Sequence, residues 1–365
     1  MAGKIVFDSV SKPPAKVHDL RSLDLAFAMD STSSMGTYID AAKRSICTIF
    51  EEIVASEKGD VRLALVNYRD HPPQDYTYVT EVHDFTNSSS TMKGWLDNTK
   101  AHGGGDLPEA VADALQDILN LSWRTHATKI CVCISDAPPH GIGCEHDKFP
   151  NGCPLGIDPM NVVRQMAAKG ITLYVVGCEP SISPYKGFFT AIAYMTGGQY
   201  VPLTQAGELS KVIIGGAREE MGLERLMEEV NEEVRADIAA GRSIDEAEMT
   251  KRVHSKMISK GVTTTQLQRN KVALASAADS VEASHISKLT NLSDVRAAFK
   301  ATPTPAMGAM ATPAAPAFSM GSVREALAGS IGDEKYDVEE KPISEAQANR
   351  MVKKSLARNM ISKKY

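Results

Sequence analysis

Nowhere in the 365 residues is there an apolar run of about 18, so the sequence offers no helical membrane span. Positive charge is not in excess either. Lys and Arg number 40 against 45 Asp and Glu, a formal net charge of −5 that leaves no basic footprint for nucleic acid. The six cysteines lack the spacing of a disulfide framework, which fits a reducing compartment. The N-terminal stretch Met1–Asp8 reaches an acid early and has no long apolar region of the signal-peptide kind. The expectation is therefore a cytoplasmic protein, and Asn87, Asn120 and Asn291 read as chance matches to the glycosylation pattern.

What is present is length enough for a full core with accessory segments. Strand-like runs recur at Leu23–Met29, Asp60–Asp70, Tyr76–Val82, Thr128–Ser135 and Ile171–Val176. Amphipathic stretches lie between them at Ala41–Glu57, Leu107–Leu121, Pro159–Ala168 and Pro184–Met195. This alternation predicts an α/β fold, a doubly wound and mostly parallel sheet covered on both faces. Cys131 and Cys133 alternate along one strand and are expected as small core residues on one face.

Ligands of such sheets bind beyond the carboxyl ends of the strands. Asp30 ends the first strand there, in Asp30-Ser31-Thr32-Ser33-Ser34, and Asp136 ends a later one; Gly103-Gly104-Gly105-Asp106 forms a loop before the next helix. Carboxylates and hydroxyls at alternate positions suit a small hard cation such as Mg²⁺. On its own the first loop also reads as a helix cap, with Ser33 or Ser34 preceding a helix near Gly36.

With these elements in order, residues 20–217 resemble the von Willebrand factor A domain. That family's metal site has an Asp-x-Ser/Thr-x-Ser loop, a Thr in a Gly-containing loop, and an Asp after a later strand. Asp30, Thr32 and Ser34 match the first element and Asp136 the third. Asp106 stands where the family's Thr is expected, with Glu109 about one helical turn further on. Gly-Gly-Gly-Asp-Leu-Pro-Glu and Ser-Asp-Ala-Pro-Pro-His-Gly bring the likeness nearer to the A domains of some alpha-type protein kinases of protists. The resemblance implies Mg²⁺ or another divalent cation held by Asp30, Thr32, Ser34, Asp106 and Asp136, and a protein partner that offers the ion an acidic side chain.

Around that domain the sequence divides into an N-terminal extension (1–19), the A-like domain (20–217), a helical accessory region (218–300), an Ala/Pro-rich flexible linker (301–320) and a C-terminal tail with a basic helix (321–365). In the accessory region Leu223, Leu226, Met227, Val230, Val234 and Ile238 recur at helical spacing. A second helix is expected after Ser243-Ile244-Asp245-Glu246, ending near Met257, and a third over Gln266–Ala283. The end of the chain, 350–365, carries six Lys or Arg and no acid, and reads as a solvated tail or as a helix for an acidic surface.

Cys144, His146 and Cys153 share a Gly/Pro-rich loop, but a tetrahedral zinc site wants four ligands and the local sequence gives three, or four with His140. No Gly-rich nucleotide loop accompanies the A domain, so kinase activity is not implied and no enzyme is expected. The function expected is a metal-dependent protein-interaction module. The alternative is a non-catalytic structural or scaffold subunit of an assembly, in which the A domain is mainly architectural. Neither reading involves nucleic acid or a membrane span.

Overall fold

A computed structural model describes residues 22–57, 60–275, 280–298 and 334–361. The expected N-terminal extension 1–19 and linker 301–320 lie outside the described residues.

The first strand, β1 (Ser22–Asp30), is buried along its whole length because the sheet is covered on both faces. Leu23, Leu25, Phe27 and Met29 point to one layer, and Ala26 and Ala28 to the other, as strand alternation requires. It lies at the centre of a six-stranded sheet with β2 (Asp60–Tyr68), β3 (Thr80–Thr86), β4 (Thr128–Ser135), β5 (Ile171–Cys178) and β6 (Tyr200–Leu203). The order is β3-β2-β1-β4-β5-β6, parallel throughout except for the antiparallel β2–β3 pair. The direction of winding reverses between β1 and β4, which is the switch point where doubly wound sheets bind ligands.

Helices α1 (Gly36–Glu57), α2 (Ser89–Asn98) and α6 (Leu209–Glu224) cover one face. The other is covered by α3 (Val111–Asn120), α4 (Pro159–Ala168) and α5 (Lys186–Met195). Cys131 and Cys133 are core residues of the second layer, and all six cysteines are free thiols. The helix expected from Leu107 begins only at Val111. Glu109 N–H donates to Pro138 O at 2.9 Å and Ala110 N–H to Arg69 O at 2.8 Å, so these bonds hold residues 109–110 across the strand ends instead of in a helical turn.

Beyond the A domain, α7 (Met227–Ala239), α8 (Glu246–Ser259) and α11 (Glu345–Ile361) enclose a core of Leu223, Met227, Val230, Val234, Met249, Val253, Met257, Met351 and Val352. Short helices α9 (Val281–Ile286) and α10 (Leu292–Ala298) pack on the α3–α5 side. Helix α6 runs across residue 217, the expected end of the A-like domain.

Two expectations are corrected. Gln266 does not open a helix: β7 (Thr263–Arg269), β8 (Val272–Ala273) and β9 (Tyr336–Pro342) form an antiparallel sheet in the order β8-β7-β9. Thr263, Thr264 and Thr265 are β-branched, and Asn270 and Lys271 take positive φ, which turns the chain back as a hairpin. This sheet packs on α6 so closely that a Cβ on Gly215 would stand 2.6 Å from Leu267 Cδ1 and 2.9 Å from Val338 Cγ1. The C-terminal stretch through Ile361 is not a solvated tail either. Arg350 and Lys354 of α11 are buried, Arg350 bonding Glu219 and Glu220 at 3.0 Å each and Lys354 bonding Glu220. The acidic surface that receives the basic helix is the chain's own α6.

Candidate metal centre

At the switch point the Asp30 loop is folded on itself by its own hydroxyls. Asp30 Oδ1 accepts from Thr32 N–H at 3.0 Å and from Thr32 Oγ1 at 2.6 Å, and Oδ2 accepts from Ser135 Oγ at 3.3 Å. Thr32 Oγ1 lies 3.3 Å from Ser34 Oγ. The glycine loop closes over this turn, since Gly103 O accepts from Ser33 N–H at 3.3 Å and Ser33 Oγ at 2.9 Å. Gly104 has φ +82°, and a Cβ there would meet Glu109 Oε1 at 2.9 Å and Thr32 Cβ at 3.4 Å. Thr32 and Glu109 therefore flank one glycine that no larger residue could replace without displacing them.

The electrostatics of the group are those of crowded acids. Burial, then the charge of Asp136, pushes Asp30 up to about 7. Asp136 is raised by burial, against a bond from Ser34 that favours its ionised form. Glu109 is pushed up to about 11 by burial and then by Asp30, Asp70, Asp106 and Asp136. Its Oε2 is buried without a hydrogen-bond partner.

The structure thus places Asp30, Thr32, Ser34 and Asp136 side by side at the strand ends. Asp106 has other partners. Its Oδ2 accepts from Lys148 N–H at 2.8 Å and its Oδ1 from Gln74 Nε2 at 3.3 Å, and it groups with His140 and Asp147. The carboxylate that stands with Thr32 beside Gly104 is Glu109, which an isolated parallel bridge to Pro139 holds at the strand ends.

A second acidic cluster borders the first. His140 Nε2 lies 2.7 Å from Asp70 Oδ1 and its Nδ1 2.8 Å from Asp147 Oδ1. Burial opposes charge on this ring, but the bonds to Asp147 and Asp70 outweigh it and hold His140 up at about 9. Asp70 Oδ2 is buried without a partner. Asp70 lies just past the end of β2, as Asp136 does past β4 and as Asp30 closes β1, and the strand-end rule applied to every strand finds it.

Residues 24–144 match the family model of the von Willebrand factor A domain. The chain contains a von Willebrand factor A domain. Its sequence is 28% identical over 155 residues to an alpha-protein kinase of Dictyostelium discoideum, covering 42% of this chain and 24% of the kinase. It is 25% identical over 192 residues to a protein of Acanthamoeba polyphaga mimivirus described as an ariadne-like RING finger protein, covering 51% of this chain and 19% of that one. The chain therefore spans a quarter or less of the length of either relative. Among solved structures, the pilus adhesin SpaC of Lactobacillus rhamnosus GG aligns with a TM-score of 0.43 at 10% identity, over 56% of this chain and 31% of the adhesin. The A domain is a fold that often serves protein interaction, and here candidate ligand groups gather at its strand ends. No helix among the described residues is long and apolar enough to cross a membrane.

Proposed function

We propose that this A domain is a divalent-metal-dependent protein-binding module, with Mg²⁺ or a similar ion held by Asp30, Thr32, Ser34 and Asp136 and bordered by Glu109. The observation that carries the reading is Glu109: a carboxylate buried among four other acids, with one oxygen left unpartnered. Such a group must either keep a proton or face a cation, since an unpaired buried charge is costly. A hard divalent ion wants about six oxygens and usually keeps waters, so a carboxylate from a partner can enter the open coordination.

On this reading the chain is a non-enzymatic cytoplasmic protein that recognises an acidic side chain on its partner. The scaffold alternative places partner contacts on the helices and the basic tail. It is weakened by α11, whose Arg350, Lys354 and Arg358 are already bonded to Glu219, Glu220 and Glu224. Capture of partners by the full chain, with and without chelator, tests the proposal. Partner retention should be lost on chelation and restored by Mg²⁺, and equal retention in both arms would leave the domain an architectural role.

A further inference from the structure

Outside the oxygen-rich centre, three different donors converge inside the molecule. His71 comes from the connection after β2, Asp113 from the first turn of α3, and Cys153 from the long connection between β4 and α4. His71 Nε2 lies 3.0 Å from Asp113 Oδ2, and Cys153 Sγ lies 3.4 Å from Asp113 Oδ1. One ligand atom from each of the three falls within 4.8 Å of the other two, and all three residues are buried.

We propose that His71, Asp113 and Cys153 form a zinc site, separate from the oxygen-only centre, that fastens the β4–α4 connection to the body of the A domain. The donor set is nitrogen, oxygen and sulfur, which suits a borderline-soft ion and not Mg²⁺. The spacing suits it too. Ligands about 2.0 to 2.3 Å from a tetrahedral ion lie roughly 3.3 to 3.6 Å apart; the 3.0 and 3.4 Å contacts go to the two different oxygens of Asp113, so the ion needs a small shift of these side chains for one oxygen to serve beside both neighbours. Charge also balances. A thiolate, a carboxylate and a neutral imidazole cancel the two charges of Zn²⁺, leaving a neutral buried site. Loading is an exchange in which the Cys153 thiol proton, and the His71 ring proton where the ring is charged, leave to solvent as the sulfur–zinc and nitrogen–zinc bonds form. His71, Asp113 and Cys153 are three protein ligands, so a water completes the tetrahedron and the site is open in the manner of three-ligand zinc centres, unlike a closed four-ligand site.

The segment that would be fastened has need of it. Residues 136–158 contain no helix or strand, yet Ile142 and Cys153 are buried, and His146, Gly141, Gly143, Gly152 and Gly156 all have positive φ. A connection of that length without regular structure is uncommon in a compact domain and is usually functional. The donors suggested by the local sequence are not the ones that meet: His146 is exposed, and Cys144 bonds Tyr185.

Cobalt substitution of the metal-stripped full chain tests the site, with excess Mg²⁺ present to occupy oxygen-only centres. One equivalent of Co²⁺ should give an intense thiolate-to-cobalt charge-transfer band and tetrahedral visible bands, displaced by Zn²⁺. Cys153→Ser and His71→Gln should lose the charge-transfer band or its intensity, while Cys144→Ser keeps it. A wild-type spectrum without the thiolate band overturns the proposal even if the variants fail to fold. So does a band lost in Cys144→Ser and kept in Cys153→Ser. Cobalt bound without a thiolate band would place the ion at Asp106, His140 and Asp147 and equally reject the cysteine site. The proposal does not depend on the Mg²⁺ reading, and chelator-sensitive partner binding could fail while the cobalt band stands.

Discussion

The charge of Asp30 helps to raise the proton affinity of Glu109 at the switch point of the sheet, and Thr32, bonded to Asp30, stands with Glu109 beside Gly104. Asp106, three residues earlier, is turned to Lys148 N–H and the His140 cluster. The two acids should therefore behave differently on substitution. Asp30→Ala should abolish Mg²⁺ binding, and Glu109→Gln should weaken it by about tenfold or more. Asp106→Thr should leave Mg²⁺ affinity nearly unchanged. Titration calorimetry on the folded variants decides it, and a large loss in Asp106→Thr would mean that Asp106 itself contacts the ion.

Proton binding gives a second expectation. Asp30 is raised from the usual carboxylate range to about 7 and Glu109 to about 11. In the metal-free protein these groups bind protons more tightly folded than unfolded. Their contribution to stability is full below about pH 4, where both states are protonated, and is lost as pH rises through the folded values. The metal-free domain should thus lose stability from about pH 4 through 7, and continue to lose it above. Mg²⁺ competes with those protons, so its affinity should rise over the same window. Melting temperatures measured across pH with chelator and with Mg²⁺ should diverge as pH increases; parallel curves would mean that these carboxylates do not face the ion.

The sequence made the sheet legible because β1, β4 and β5 are apolar on both faces and end in Asp30, Asp136 and Cys178 with breakers behind them. Local patterns were enough for Asp30, Thr32, Ser34 and Asp136, which share one turn or one strand end. Glu109 could be named but not placed, because its position depends on bonds to Pro138 and beside Arg69 that join distant segments. The same holds for His71, Asp113 and Cys153, which have no common spacing at all. The β7–β9 pairing was hidden for a different reason: its two main strands are about 70 residues apart, and Gln266, Gln268, Glu339 and Glu340 carry little hydrophobic period. Gln266–Ala283 therefore reads as helical from its local pattern, while the positive φ of Asn270 and Lys271 turns the chain back as a hairpin.

Arg350 offers a test of how the C-terminal helix is held. Its guanidinium reaches Glu219 Oε1 and Glu220 Oε2 at 3.0 Å each, Tyr174 OH at 2.5 Å and Gly197 O at 2.9 Å. Removing one partner from a buried charge network leaves the others uncompensated, which costs about 3–5 kcal/mol. Arg350→Met should lower stability by that order in denaturant unfolding. Adding Glu219→Gln and Glu220→Gln should recover part of the loss, since the buried anions go with their partner. If Arg350→Met alone is neutral, the carboxylates must take up protons or water that the folded arrangement leaves room for.

The last expectation concerns β9 and α11 together. Tyr336 is buried, with its hydroxyl bonded to Pro202 O, and Ile343, Ala348, Met351 and Val352 are buried against α7 and α8. A shorter chain ending before residue 334 would strip β7 of its long partner and leave it only the two-residue β8. It would also uncover Leu267 on one core and Met227, Val230 and Val253 on another, and take from Glu219 and Glu220 their basic partners Arg350 and Lys354. Patches of that kind drive association, and an open strand edge adds a second route to it. The shorter chain should therefore elute as oligomers or bind a hydrophobic dye, and should melt lower than the full chain. Its Mg²⁺ affinity should change little, because Asp30, Thr32, Ser34, Glu109 and Asp136 take no bond from residues 334–361 among those observed. A monomeric shorter chain of unchanged melting temperature would show that the A domain and α6 are complete without the C-terminal layer.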